Sequence, residues 1–255
     1  MRADEVSNEV ANEVAADDVL ACLAQVEALV GARRGAADPQ RELALLGLTP
    51  EDAGPLWDGL GEPAWRALLR AVARTCPQLG WALALLRRGH EADAAAPDGQ
   101  PRPSDIPLLL TGILERLWQE AAAHAENRPL FRRHLADFPA IRWRLIMALA
   151  HVLRAERIGL AMPGPGHAAA LRRAARAVRV DTQQICGGSG YMLESAFAGT
   201  LLWCERCCAA LPPGAGQLKR QEIAEIDAHV ARRLTAAGLP PELVTTLLQC
   251  LPQVT

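Results

Sequence analysis

Apolar residues recur along this chain on a helical period of about 3.6, and no alternating run of useful length marks a strand. The opening residues lack that period. From Asp17 a helical face runs through Leu20, Leu23, Val26 and Leu29 to the Gly31–Gly35 break, and a second short helix is expected over 40–46. From Ala67 the stretch ALLRAVARTCPQLGWALALLRR continues the helical pattern to about Arg88, with an interruption at Pro77. Residues 93–104, DAAAPDGQPRPS, have the composition of a linker. Beyond them four helical stretches are expected at about 106–127, 137–161, 166–185 and 193–210. They are separated by Asn127-Arg128-Pro129, Pro163-Gly164-Pro165-Gly166 and Gly187-Gly188-Ser189-Gly190. Long amphipathic segments with short joins predict an antiparallel four-helix bundle. A charged helix over 218–237 and a short one over 241–251 close the chain.

The expected organisation is therefore all-α: a flexible start at 1–16, an N-terminal helical unit at 17–92, a Pro-rich linker at 93–104, a bundle at 105–211 and a helical extension at 212–255. Composition agrees with this. Half of the 255 residues are hydrophobic, yet only 4% are aromatic, so the apolar mass is Ala, Leu and Val, which suits packed helices. The 27 basic residues against 29 acidic ones provide no global field to hold nucleic acid or an anionic membrane, so neither is an expected partner. All basic residues but Lys219 are arginine. The acidic start lacks the features of a secretory leader, no run reaches the length of a bilayer span, and the seven cysteines form no regular framework. A cytoplasmic protein with free thiols is the expectation.

Few segments carry chemical signals. In Gln183-Gln184-Ile185-Cys186-Gly187-Gly188-Ser189-Gly190-Tyr191 the glycines either end a helix at positive φ or let backbone approach a bulky anionic partner. Cys204, Cys207 and Cys208 share a helical run without a second CxxC or a nearby histidine, which favours packing thiols over a metal site. His90, His124, His134, His151, His167 and His229 are scattered singly and read as ordinary helix-surface residues. Glu120, Glu126 and Arg128 read as a solvated helix end.

The stretch AAAHAENRPLFRRHLADFPAIRWRLIMALAHVLRAERIGLAM, followed by QQICGGSGYMLES, resembles the C-terminal helical domain of flavin-dependent acyl-CoA dehydrogenases, with their R-x-x-F and Q-I-x-G-G-x-G-Y signatures in order. The segments ELALLGLTPEDAGPL and ALLRAVARTCPQLGWALAL look more loosely like that family's N-terminal helices. The resemblance spans about residues 17–210. It implies FAD contacts made across a subunit interface by Arg128, Phe131, Gln184 and the Gly187-Gly188 turn. A guanidinium matches phosphate oxygens, and a glycine admits close approach. The plainer alternative keeps Arg128 as a helix-end charge and Phe131 as core.

The departures from the family change what is implied. Its members carry a β-barrel domain between their helical parts, where this chain has only 93–104. The family's usual catalytic base aligns with Leu211, and its alternative base falls near Arg102 or Pro103. Without base and flavin wall, neither proton abstraction nor hydride transfer is provided for. The resemblance thus implies a non-catalytic, acyl-CoA dehydrogenase-like subunit in an oligomer with a full-length partner, sharing that partner's FAD, with an acyl thioester as the substrate of the complex. Three alternatives stay open: a flavin-free biosynthetic enzyme reusing the scaffold on a thioester or polyketide-like substrate, an independently active flavoenzyme, and a decayed paralogue.

Overall fold

A computed structural model describes residues 61–90, 100–160, 165–192, 195–213 and 216–251. The expected helices at 17–30 and 40–46, the start of the chain and most of the 93–104 stretch lie outside these residues. The described residues form eight α-helices and one minimal hairpin, so the all-α expectation holds. The chain divides into two units, Met1–Asp105 and Ile106–Thr255.

In the first unit, α1 (Glu62–Thr75) starts five residues before the apolar period becomes visible, with a proline in its opening turn. Trp65, Leu68, Leu69, Val72 and Ala73 sit three and four apart and form its buried face. Cys76 is extended, as the residue before a proline should be, and α2 (Pro77–His90) follows at once. Arg87 on α2 pairs with Glu62 at the start of α1 (2.9 Å), so the two helices run antiparallel. Their backbones approach closely at Gly80, where a Cβ would lie 2.9 Å from the Ala73 Cα. The end of the Pro-rich stretch is anchored within this unit. Arg88 donates to the Gln100 carbonyl (2.7 Å), and the wholly buried Asp105 accepts from the Trp65 indole (3.1 Å) and from Arg102 (3.0 and 3.1 Å).

The second unit opens with α3 (Ile106–Asn127), in which every residue from Ile106 to Leu114 is buried. From there burial narrows to one stripe, Leu117, Ala121 and Ala125, four apart on a single face. The hairpin β1 (Pro129–Leu130) and β2 (Arg133–His134) and a short 3₁₀ turn lead into α4 (Pro139–Leu160), and α5 (Pro165–Cys186) follows. Trp118 of α3 donates to the Leu145 carbonyl of α4 (2.9 Å), and Arg144 near the start of α4 pairs with Asp181 near the end of α5 (2.8 Å). After the Gly187–Tyr191 turn, α6 (Ala196–Ala210) is capped by Ser195, which accepts from the Ala198 amide (3.1 Å). It returns along α5, with Glu205 paired to Arg179, and also packs on α3. Two further helices, α7 (Arg220–Ala236) and α8 (Pro241–Cys250), cover α4 through Ala150, Leu153, Val230, Leu234 and Leu247. Each such large apolar side chain contributes roughly 1.5–3 kcal/mol by leaving water.

Candidate functional site

Both α3 and α5 run antiparallel to α4, so their C-terminal ends lie at the same end of the second unit. One of these ends carries Arg128 and Phe131, the other Gln184 and the Gly187-Gly188 turn.

Arg128 directly follows α3 and is exposed. Its Nη1 lies 3.3 Å from His124 Nε2. Burial and then the Arg128 charge hold the His124 imidazole below its usual pKa, which suits an accepting, neutral ring. Phe131 and Arg132 form the two-residue hairpin loop, and both have positive φ, 48° and 66°. That conformation ordinarily belongs to Asn-Gly or Gly-Gly pairs, and for bulky residues it stores roughly 1–3 kcal/mol each. The fold enforces it from either side. The Leu135 amide donates to the Arg128 carbonyl (2.9 Å), the His134 amide to Asp137 (2.9 Å), and Arg142 to the Ala136 carbonyl (2.8 Å). The outcome is a Phe131 side chain 87% exposed, which removes the reading of this residue as core.

Gln184 is exposed on the last turn of α5. Gly187 follows with φ 54°, so the helix-ending reading of this glycine is correct. Gly188 has an ordinary φ, and a Cβ there would meet nothing within 4 Å, so nothing among the described residues requires a glycine. Gly190 differs, since its Cβ would stand 3.1 Å from that of Cys186. Replacing Gly187 with alanine should cost about 1 kcal/mol through its positive φ, while Gly188→Ala should leave stability unchanged. Paired thermal melts check this, and equal losses at the two positions would contradict the assignment.

Several surroundings differ from the sequence expectation. Glu120 is not on a solvated face: it pairs with Arg116 (2.8 Å) and accepts from Thr200 of α6 (3.3 Å). Glu126 is exposed as expected. Burial, and secondarily the Glu120 charge, pushes the Cys186 thiol up to about 11, which makes it unreactive. Cys204 and Cys207 are fully buried and Cys208 partly so, and burial drives the Cys207 thiol far upward. Packing thiols is the right description for this cluster. Among the described residues no group of His, Cys, Asp or Glu could hold a metal ion, and no helix is long and apolar enough to cross a membrane. His151 departs from its helix-surface reading, being only 5% exposed inside the second unit.

At the positions carried over for a base, Leu211 is buried at the end of α6, and Arg102 is paired to Asp105. Asp105 itself is the carboxylate that sequence reasoning passed over, three residues beyond Arg102. It is 0% exposed and engaged by Trp65 and Arg102, so it is a structural anchor rather than a base. The arrangement can present a cation and an aromatic ring to an outside group. It contains no group poised to remove a proton from a bound acyl chain at these positions. No family model matches this chain, and neither curated proteins nor solved structures match it.

Proposed function

We propose that this chain is a non-catalytic subunit of a heteromeric FAD-dependent acyl-CoA dehydrogenase. On this reading its second unit is a bundle of that family's type, and it lends Arg128, Phe131, Gln184, Gly187 and Gly188 to the flavin of a full-length partner. The observation that carries the reading is Phe131, held 87% exposed on a strained turn at the same end of the unit as the open Gly188. An aromatic side chain kept in water at a conformational cost is expected where an outside group covers it. The residues fit the group they would meet. Arg128 supplies bidentate donors for a pyrophosphate, Gly188 leaves room for its oxygens, and Phe131 offers a face to an adenine ring. When bound, the flavin accepts the hydride in the partner's reaction; this chain's residues hold its phosphates and shield its adenine. Leu211 and Arg102 at the base positions support a holding role, because the partner must then bring the carboxylate.

The test is co-expression with full-length acyl-CoA dehydrogenases from the same source, followed by flavin occupancy of complexes at equal stoichiometry. Arg128→Ala removes a charge-assisted contact of about 1.5–3 kcal/mol and should lower flavin retention roughly ten- to a hundredfold while assembly persists. Gly188→Val should lower retention as well, without changing the melting of the isolated chain. Unchanged occupancy in both variants removes the flavin role. Failure of every candidate to associate favours the flavin-free enzyme on a thioester or polyketide-like substrate.

A further inference from the structure

The pairing of Arg144 with Asp181 sets the register of α4 against α5, so His151, two turns along α4, stands level with Ala174 on α5. Ala170, Ala174 and Ala177 are too small to fill the space between the helices, and Met147 and Ile158 wall it on the α4 side. What remains is an open groove of about 450 Å³, within the size range of small-ligand sites. Its surface is predominantly apolar; of the polar side chains that line it, the Asp181 carboxylate is paired with Arg144, and two others matter.

The first is His151, which lines the groove at 5% exposure and whose ring makes no hydrogen bond to any described residue. Burial, with the Arg154 charge second, lowers its pKa to about 4, so at neutral pH the ring is an uncharged donor and acceptor. Neither ring nitrogen is sealed from solvent, so a ligand atom in the groove can bond the ring. The second is the rim, where Arg176 is exposed and forms no ion pair among the described residues. Arg154, deeper in the wall, is already engaged by Asp227 (2.8 Å). An apolar helix from another protein would leave the His151 ring without a partner, whereas a carboxylate would satisfy it.

We propose that the groove between α4 and α5 binds a single-chain amphiphile with a carboxylate head, its tail on the alanine floor and its head between His151 and Arg176 on the rim. None of these residues belongs to the candidate flavin contacts, and the test needs neither flavin nor partner, so its outcome is independent of the function proposed above.

Dodecanoate below its micellar concentration is titrated calorimetrically into the full chain, beside dodecanol, dodecyltrimethylammonium and butyrate. Saturable binding of one dodecanoate per chain is expected, with the neutral, cationic and short probes at least tenfold weaker. Arg176→Glu, an exposed change that leaves the fold intact, should weaken binding about tenfold or more. His151→Phe, which keeps the packing, should weaken it about fivefold or more. Ala177→Trp should abolish binding by filling the groove, with circular dichroism reporting the fold. Absence of saturable binding, equal affinity for dodecyltrimethylammonium, or indifference to Arg176→Glu overturns the proposal. It is also overturned if the chain binds only phosphatidylglycerol vesicles, or if sedimentation shows a dimer that Ala177→Trp dissociates, because the occupant is then a bilayer or a second copy.

Discussion

Replacing Leu211 with glutamate should destabilise this protein by about 3–5 kcal/mol at neutral pH and should create no acyl-CoA oxidation. Leu211 aligns with the base position of the resembled family, so the substitution looks like a repair. Yet its side chain is only 3% exposed, at the end of α6, where its amide donates to the Cys207 carbonyl (3.1 Å). The nearby Arg172 offers little help to a new carboxylate, since it already donates to the carbonyls of Cys208, Leu211 and Pro212. A carboxylate here enters an apolar environment and either stays charged without a partner or takes up a proton. For a chain of this size the loss corresponds to a fall in melting temperature of roughly 10 °C. Thermal melts beside a Leu211→Met control decide the matter. A glutamate variant melting with the unaltered protein would mean that the position is open to water, and flavin bleaching by an acyl-CoA in that variant would overturn the non-catalytic reading.

Lowering the pH from 7 to 4 should cost this protein about 3 kcal/mol through His151 alone. Burial, followed by the Arg154 charge, depresses this ring in the folded chain from 6.5 to about 4. The unfolded chain therefore binds the proton first. Stability from this group is complete above about 6.5 and is lost as the pH falls towards about 4. His151→Phe removes the titration while keeping an aromatic ring in the space. The unfolding free energy of the unaltered protein minus that of the variant should fall by about 3 kcal/mol between pH 7 and pH 4. His124 and His229, also lowered, and Asp181, raised by burial, titrate in both proteins and cancel in the difference. Urea denaturation at several pH values measures it. A difference that stays flat across this window would show that His151 is solvated in the folded chain.

What was legible in the sequence was local. The third helix runs Ile106–Asn127, as the apolar period indicates, and α5 ends at Cys186, where Gly187 can adopt positive φ and the preceding residues cannot do so cheaply. The break at Cys76 follows from the proline behind it. Helical period, proline and glycine act through neighbours in the chain, so they can be read without knowing what packs against them. The start of α1 is not visible in the apolar period because Glu62–Arg66 holds one large apolar residue, Trp65, and one residue shows no period.

The environment of each side chain was decided only by tertiary structure. Phe131 is a hydrophobic residue that local rules assign to the core, and the hydrogen bonds around the Pro129–His134 hairpin instead hold it in water. His151 and His124 are alike as isolated histidines, yet packing buries His151 on α4 and leaves His124, near the end of α3, partly exposed. Asp105 is unremarkable in a Pro-rich stretch until Trp65, forty positions earlier, donates to it. Burial and long-range hydrogen bonding depend on the register between helices, and that register is set by the summed contacts of whole faces. For this reason the sequence alone could supply the helices and candidate contacts, while the exposure of Phe131, the open edge of Gly188 and the groove over Ala174 exist only once the helices are packed.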